Sequence, residues 1–211
     1  MDIHWLGHSC FRLRGRDATV LIDPYPGSVG GQALARQSAD ILCLTNPHPN
    51  HAHRTIVEGA PPVLTGPGEY EIKGVLITGL GTTRRASEGT LPNTAYLIEM
   101  DDVGVCHLGD LSRAMTNDLK EQLGSVDVLL IPTGGHCTID AAAAAETISL
   151  IEPRIVIPMH FGSTASDPPL DGLERFLKEM GVSEVQPQPR LSVSKSGLPE
   201  PTQVVVLEAR R

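Results

Sequence analysis

Five short apolar segments of this 211-residue chain each end at a polar residue that can bind a ligand or carry a proton. These segments are typical of β-strands because they are rich in Val, Ile and Leu and are bounded by turn residues. In α/β architectures, sites are assembled where strands run out into polar loops. We therefore expect the five end residues to form one constellation. They are Asp23, Asn46, Asp110, His136 and His160.

The order of the predicted elements favours a single α/β domain over residues 1–211. Gly and Pro are scattered at turns, so no disordered linker divides the chain. Asp140 can cap a helix over 141–151, and apolar residues at helical spacing predict a second helix over 170–180. Strands and helices in this order indicate two packed sheets with helices outside. Strands are predicted at 3–6, 10–13, 19–22, 41–44, 62–64, 69–72, 75–78, 95–100, 103–108, 126–131, 154–158 and 204–207.

The composition excludes several classes of partner. The net charge is −8 and the longest basic runs are pairs, which disfavours binding to the phosphate backbone of a nucleic acid. No apolar run approaches the ~18 residues of a membrane span. The cysteines are far apart and lack a Cys-x-x-Cys pair, which favours free thiols in a reducing compartment. We expect a cytoplasmic protein with no membrane and no nucleic-acid partner. The cysteines are Cys10, Cys43, Cys106 and Cys137.

The histidines cluster more than chance placement would give. His48, His51 and His53 fall within six residues, and other histidines stand at strand ends. A single loop histidine is more often a surface or capping residue than a ligand, but clustering favours metal or catalytic use. The pattern predicts a metal set of His48, His51, Asp110 and His160.

The chain resembles the metallo-β-lactamase-fold hydrolases, within them the small single-domain group of predicted metal-dependent hydrolases and ascorbate-6-phosphate lactonase-like proteins. The resemblance covers nearly the whole chain and implies a four-layer αββα sandwich. Its motifs are individually weak, but their order is specific. They are Gly7-His8-Ser9-Cys10-Phe11, Leu21-Ile22-Asp23-Pro24, the loop from Thr45 to His51, His107-Leu108-Gly109-Asp110, Gly134-Gly135, and Ile157-Pro158-Met159-His160.

The resemblance implies two metal positions, one of them depleted. At the first, Asn46 and His48 stand where two histidines are expected, and no histidine follows Val75 where the third is expected. The second position keeps His51, Asp110 and His160, with Asn50 in place of the motif aspartate. Two imidazoles and one carboxylate suit a single divalent ion, zinc first, with manganese or iron as alternatives.

The remaining site residues receive supporting roles. Asp23 is expected to orient a ligating histidine, or else to form a turn before Pro24. His8 is expected to contact the site from outside the metal, or else to serve only its turn. Asn46 can offer a weak carbonyl ligand. The catalytic set is His48, Asn50 and His136, in which one histidine takes the proton that the missing carboxylate would have accepted.

These residues favour a metal-dependent hydrolase with weak turnover. Its substrate is expected to be a small molecule with an ester, lactone or phosphoester bond. The alternative is a binding or scaffold protein on the same fold that has lost its chemistry. A nuclease is disfavoured by the net charge of −8.

Overall fold

Two β-sheets packed face to face form the centre of the protein. The computed structural model describes residues 1–27, 34–162 and 170–210. Its α-helices are α1 (Asn117–Leu123), α2 (Ala141–Ile151) and α3 (Leu173–Glu179). Its strands are β1 (Asp2–Gly7), β2 (Cys10–Arg14), β3 (Thr19–Ile22), β4 (Gln37–Ser38), β5 (Ile41–Cys43), β6 (Val57–Glu58), β7 (Val63–Leu64), β8 (Gly68–Ile72), β9 (Val75–Arg85), β10 (Thr90–Met100), β11 (Val103–His107), β12 (Val128–Pro132), β13 (Ile155–Met159), β14 (Leu191–Ser192) and β15 (Gln203–Val204).

Each sheet combines antiparallel and parallel pairs. The first sheet has the order β14-β1-β2-β3-β5-β7, and the second has the order β15-β13-β12-β11-β10-β9-β8. A separate pair, β4-β6, lies outside both. The largest apolar cluster joins the two sheets, with Phe11 and Ile22 from the first and Ile98 and Leu130 from the second, all fully buried. Burial of this shared face is the main force that holds the sheets together.

A second apolar cluster places the helices on the outer face of the second sheet. Leu129 and Val156 of that sheet pack there with Ile148 of α2 and Phe176 of α3. Helix α2 begins and ends where the sequence predicts, and the Asp140 carboxylate accepts a hydrogen bond from the Ala143 N–H at 3.0 Å. The predicted α/β arrangement of two packed sheets with helices outside is therefore confirmed.

The carboxyl ends of the parallel strands meet at one edge of the sandwich. Parallel pairing joins β3 to β5 in the first sheet and β11 to β12 to β13 in the second. The β1–β2 turn reaches the same edge, where the His8 carbonyl accepts hydrogen bonds from Trp5 Nε1 at 2.9 Å and from the His160 N–H at 3.2 Å. The backbone of the first sheet is thus tied directly to the end of β13.

Two strands are longer than the sequence predicts. The hairpin of β9 and β10 contains eleven residues in each strand, because Gly79, Gly81 and Pro92 are accommodated inside it although such residues usually interrupt strands. The segment 186–202, in which no strand is predicted, contributes β14 at the edge of the first sheet. Among the described residues, no helix is long and apolar enough to cross a membrane.

Candidate metal centre

Three residues at this edge adopt a left-handed backbone conformation. The φ angles of His8, Asp23 and His160 are 51°, 48° and 49°. Residues other than glycine rarely adopt this conformation, and such strain is concentrated at functional sites. The three loops are bent sharply at these positions, which turns their side chains toward a common centre.

His51 is held between two buried carboxylates. Its Nδ1 lies 2.7 Å from an Asp23 oxygen, and its Nε2 lies 3.0 Å from Asp110 Oδ2. All three residues are buried. Asp23 also accepts hydrogen bonds from the Thr45 N–H at 2.8 Å and the Thr45 hydroxyl at 2.6 Å. The structure thus places Asp23 where it can fix the orientation of the His51 ring, as predicted for an orienting carboxylate.

Asp110 and His160 present atoms that lack hydrogen-bond partners. Asp110 Oδ1 lies 3.3 Å from His160 Nε2, but the two atoms are not aligned for a hydrogen bond. Among the described residues, Asp110 Oδ1 and His160 Nδ1 are buried without any partner. An unsatisfied buried oxygen costs on the order of 1 to 3 kcal/mol, and a cation at this point would remove that cost.

Three imidazoles converge beside this carboxylate. One ring nitrogen from each of His8, His51 and His160 lies within 4.8 Å of the others. Two nitrogen ligands on one zinc ion are separated by at most about 4 Å, so a small inward shift would complete a coordination shell. With Asp110 as the carboxylate, the residues fit one divalent ion. His8, predicted to lie outside the metal set, is part of this cluster.

The charges within the site favour a protonated His51 when no metal is bound. Burial opposes the charged ring, but Asp110 and Asp23 outweigh burial and raise the pKa of His51 to about 10. Burial also opposes the Asp110 carboxylate, yet His51 and His160 hold its pKa far below the usual range. Burial, followed by His160 and His51, keeps the pKa of His8 well below its ordinary value. A divalent ion would therefore replace the proton on His51.

The stability of the metal-free protein should fall as pH rises from about 6.5 toward 10. The pKa of His51 is higher in the folded state than its ordinary 6.5. The stabilisation that protonated His51 provides is therefore complete below pH 6.5. It is lost as the pH rises toward the folded-state pKa of about 10, by no more than about 1.4 kcal/mol per pH unit. Urea unfolding in the presence of chelator at pH 6.5, 8 and 9.5 measures this slope. A flat profile would show that His51 is neutral in the metal-free protein.

His48 lies beside the site, and one of its ring nitrogens is in contact with the backbone. Its Nδ1 accepts a hydrogen bond from the Asn50 N–H at 3.3 Å. Burial, then Arg84 and His51, lowers the pKa of His48. While Nδ1 accepts this bond, a neutral ring carries its proton on Nε2. Within the part of the chain that the structure describes, His48 is not part of the cluster of His8, His51 and His160, and its metal and catalytic roles stay predictions.

The two asparagines of this loop have different surroundings. Asn46 is buried, its Oδ1 accepts from the His48 N–H at 3.0 Å, and its Nδ2 donates to Thr45 Oγ1 at 3.2 Å. These bonds fix the loop and leave the first metal position without a histidine-like ligand. Asn50 is half-buried, and its side chain remains a predicted catalytic position.

The loop after β12 carries the predicted catalytic residue His136 and its neighbour Cys137. His136 is exposed, and its carbonyl accepts a hydrogen bond from Arg85 Nη1 at 3.2 Å. A proton-transfer role for its imidazole stays a prediction. Cys137 is partly buried, and burial followed by Asp110 raises the pKa of its thiol to about 11. A thiol of that pKa is a poor nucleophile at neutral pH.

Asn93 supports the site although the sequence reasoning did not identify it. Its Oδ1 accepts from the Asp110 N–H at 3.0 Å, and its Nδ2 donates to the Leu108 carbonyl at 2.9 Å. A β-carbon on Gly109 would lie 2.5 Å from this Oδ1, so only glycine fits between them. Asn93 lies inside β10, and the only available signal was a polar residue in a strand that otherwise becomes apolar.

His107 is a structural residue. Its Nδ1 accepts from the Gly109 N–H at 3.0 Å, so its Nε2 carries the proton and donates to the Ser9 carbonyl at 2.9 Å. Both ring nitrogens are therefore used within the fold.

Residues 2–160 match the family model described as the beta-lactamase superfamily domain. The chain belongs to the metallo-β-lactamase superfamily. Within this superfamily, the chain is 32% identical over 205 residues to a UPF0173 protein of Pyrococcus furiosus, a match that covers 85% of this chain and 90% of the relative. It is 31% identical over 213 residues to a UPF0173 metal-dependent hydrolase of Thermococcus onnurineus, with coverages of 86% and 92%.

A solved superfamily structure has the same fold over almost the whole chain. It is a proposed Zn-dependent hydrolase of the metallo-beta-lactamase superfamily from Thermotoga maritima. The two chains superpose with a TM-score of 0.82 at 30% identity, covering 98% of this chain and 97% of the other.

Proposed function

We propose that this chain is a hydrolase that uses one divalent metal ion, zinc first, to cleave an ester, lactone or phosphoester bond in a small molecule. The observation that carries the proposal is the convergence of His8, His51 and His160, with the buried Asp110 carboxylate in contact with the last two and its Oδ1 without a hydrogen-bond partner. The names of relatives as metal-dependent or Zn-dependent hydrolases support it.

His8, His51, His160 and Asp110 would hold the ion. Three imidazoles and one carboxylate form a donor set that zinc accepts readily, and manganese or iron can also use it. A bound divalent ion supplies Lewis acidity, which activates water and polarises the substrate. One carboxylate in the set offsets one of the two positive charges, so a single ion is favoured over a pair.

The surrounding residues orient these ligands and supply a hydrogen bond. Asp23 fixes the His51 ring through Nδ1, and Asn93 holds the Asp110 backbone. His48 Nε2–H can donate a hydrogen bond to negative charge that develops on a substrate oxygen. No carboxylate stands at position 50 to take a proton from water, so turnover should be slow. A small, non-nucleic-acid substrate also accords with the net charge of −8.

A binding protein without chemistry is the second candidate. The observation in its favour is that Asn46 uses its side chain to fix the loop. This candidate predicts that metal ions neither bind stoichiometrically nor stabilise the fold.

Metal analysis combined with an activity screen separates the two candidates. Untagged protein, stripped with chelator and then offered zinc, manganese or iron, should retain about one ion per chain. The loaded protein should hydrolyse at least one aryl ester, lactone or phosphodiester faster than the stripped protein. The His8→Ala variant should bind zinc at least about tenfold more weakly, because it loses one of four donors.

His53→Ala provides the matched control. His53 belongs to the same loop, and within residues 1–27, 34–162 and 170–210 its ring bonds only to the Thr55 hydroxyl, at 3.0 Å. It should bind zinc as the wild type does. Failure of every metal to bind would favour the binding protein. Stoichiometric metal without hydrolysis would retain the metal centre and contradict the activity.

A further inference from the structure

A second group of basic residues lies on the outer face of the first sheet, away from the metal centre. It borders a groove of about 450 Å³ between β1 and the C-terminal segment. We call this the basic groove. Its lining residues are His4, Pro189, Arg190, Glu208, Ala209 and Arg210.

The floor of the basic groove contains a buried imidazole with a free nitrogen. His4 is only 4% exposed, and among the described residues its Nδ1 has no hydrogen-bond partner. It stands in the middle of β1, whereas His8 of the metal centre lies beyond the end of that strand. A buried ring nitrogen without a partner carries a desolvation cost that a bound polar group would relieve.

Two arginines, Arg12 and Arg210, lie near His4. Arg12 lies directly opposite His4 in the β1–β2 pair, and its Nε is also buried without a partner. Arg210 is exposed beside the groove. Within the described ranges, no carboxylate oxygen lies within 4.0 Å of a side-chain nitrogen of Arg12 or Arg210. Arg12 Nη1 donates a hydrogen bond to Gln37 Oε1 at 3.3 Å. Burial, then the positive charges of Arg12 and Arg210, lowers the pKa of His4.

The acidic residues nearby do not neutralise this cluster. Asp2 accepts a hydrogen bond from Ser192 Oγ at 2.6 Å and lies 3.5 Å from Arg190 Nη1. It is therefore occupied by other partners. Glu208 lines the groove and is exposed. Among the described residues, Glu208 is the one groove carboxylate without another recorded partner. The arginines therefore leave a positive potential in the groove, which would attract a small anion.

We propose that the basic groove binds a phosphate-type oxyanion, either inorganic phosphate or the phosphate group of a metabolite. Arg210, which lines the groove, would supply a charge-assisted hydrogen bond, and His4 Nδ1–H would donate from the floor. Arg12, which pairs with His4 across β1 and β2, would add positive charge. The planar fork of arginine matches the oxygens of phosphate, and its charge persists at every physiological pH. This site is independent of the metal centre and does not require hydrolytic activity.

Isothermal titration of the full chain with inorganic phosphate and with ribose 5-phosphate tests the proposal at constant ionic strength. Binding should persist after the metal has been removed with chelator. Tighter binding of the sugar phosphate would identify a metabolite as the ligand, and equal binding would identify free phosphate.

The Arg210→Ala variant should weaken binding of the preferred anion by about tenfold or more, because one charged hydrogen bond is lost. Arg210 is exposed, and its backbone N–H donates to the Trp5 carbonyl at 2.9 Å, a bond that an alanine keeps. The variant should therefore fold normally. Arg36→Ala is the matched control, since it removes an equal charge from an exposed pair with Glu58. Equal binding by wild type and Arg210→Ala, or no binding of either probe, would overturn the proposal.

Discussion

The His51→Ala variant should lose about 3 to 5 kcal/mol of unfolding free energy in metal-free buffer at pH 7. His51 bridges Asp23 and Asp110 at 2.7 and 3.0 Å, and all three side chains are buried. Removal of the imidazole leaves two buried carboxylates without their shared partner, which is among the most costly changes a core can undergo. The same variant should lose the stabilisation by zinc that the wild type shows.

Urea unfolding with and without zinc measures both effects. His53→Ala removes a histidine of the same loop that lies outside the cluster, and it should change stability by no more than about 0.5 kcal/mol. If His51→Ala is as stable as His53→Ala without metal, the buried charge arrangement is wrong. If zinc still stabilises His51→Ala, the ion binds elsewhere.

The Gly134→Ala variant should lose about 2 to 3 kcal/mol of stability and bind zinc at least about tenfold more weakly. A β-carbon at Gly134 would lie 2.2 Å from the His160 carbonyl oxygen and 3.2 Å from the Phe161 Cα. Both obstacles are backbone atoms, so no side-chain rotation relieves the contact. The peptide that carries His160 must move, and its imidazole moves with it.

Gly66→Ala separates this steric effect from the general cost of replacing a glycine. Nothing lies within 4 Å of a β-carbon at Gly66, and its φ is outside the left-handed range. This control should match the wild type in stability and in zinc affinity. Zinc titration and urea unfolding of the two variants test the prediction. If Gly134→Ala binds zinc as tightly as the wild type does, then displacement of the His160 backbone does not disturb zinc binding, and the prediction is wrong.

The fold was largely predictable because its core strands are apolar and its turns are marked. Helix α2 begins after the Asp140 cap and occupies the predicted residues. Helix α1 was missed because only Leu123 is fully buried in its seven residues, so its apolar pattern is too short to detect. The extension of β9 was missed because its glycines resemble turn residues, and only pairing with β10 stabilises them.

The site was predictable where a ligand directly follows an apolar strand, and less so elsewhere. Asp110 and His160 were selected for that reason, and the structure brings them together with His51. His8 was placed outside the ligand cluster because a short turn explains a histidine equally well, and only the backbone conformation turns it inward. The proton position on His48 depends on one backbone N–H from Asn50, which no sequence pattern specifies.

The hydrogen bonds that join the two sheets at the His8 carbonyl make Trp5 an optical probe of the metal centre. Trp5 is the only tryptophan of the chain, and its indole N–H donates to that carbonyl. The same oxygen accepts from the backbone of His160, and the Trp5 ring packs against Phe161 at 5.3 Å. Any shift of His8 or His160 changes the polarity around one fluorophore. Tryptophan emission therefore reports movements of His8 and His160 in the unlabelled protein.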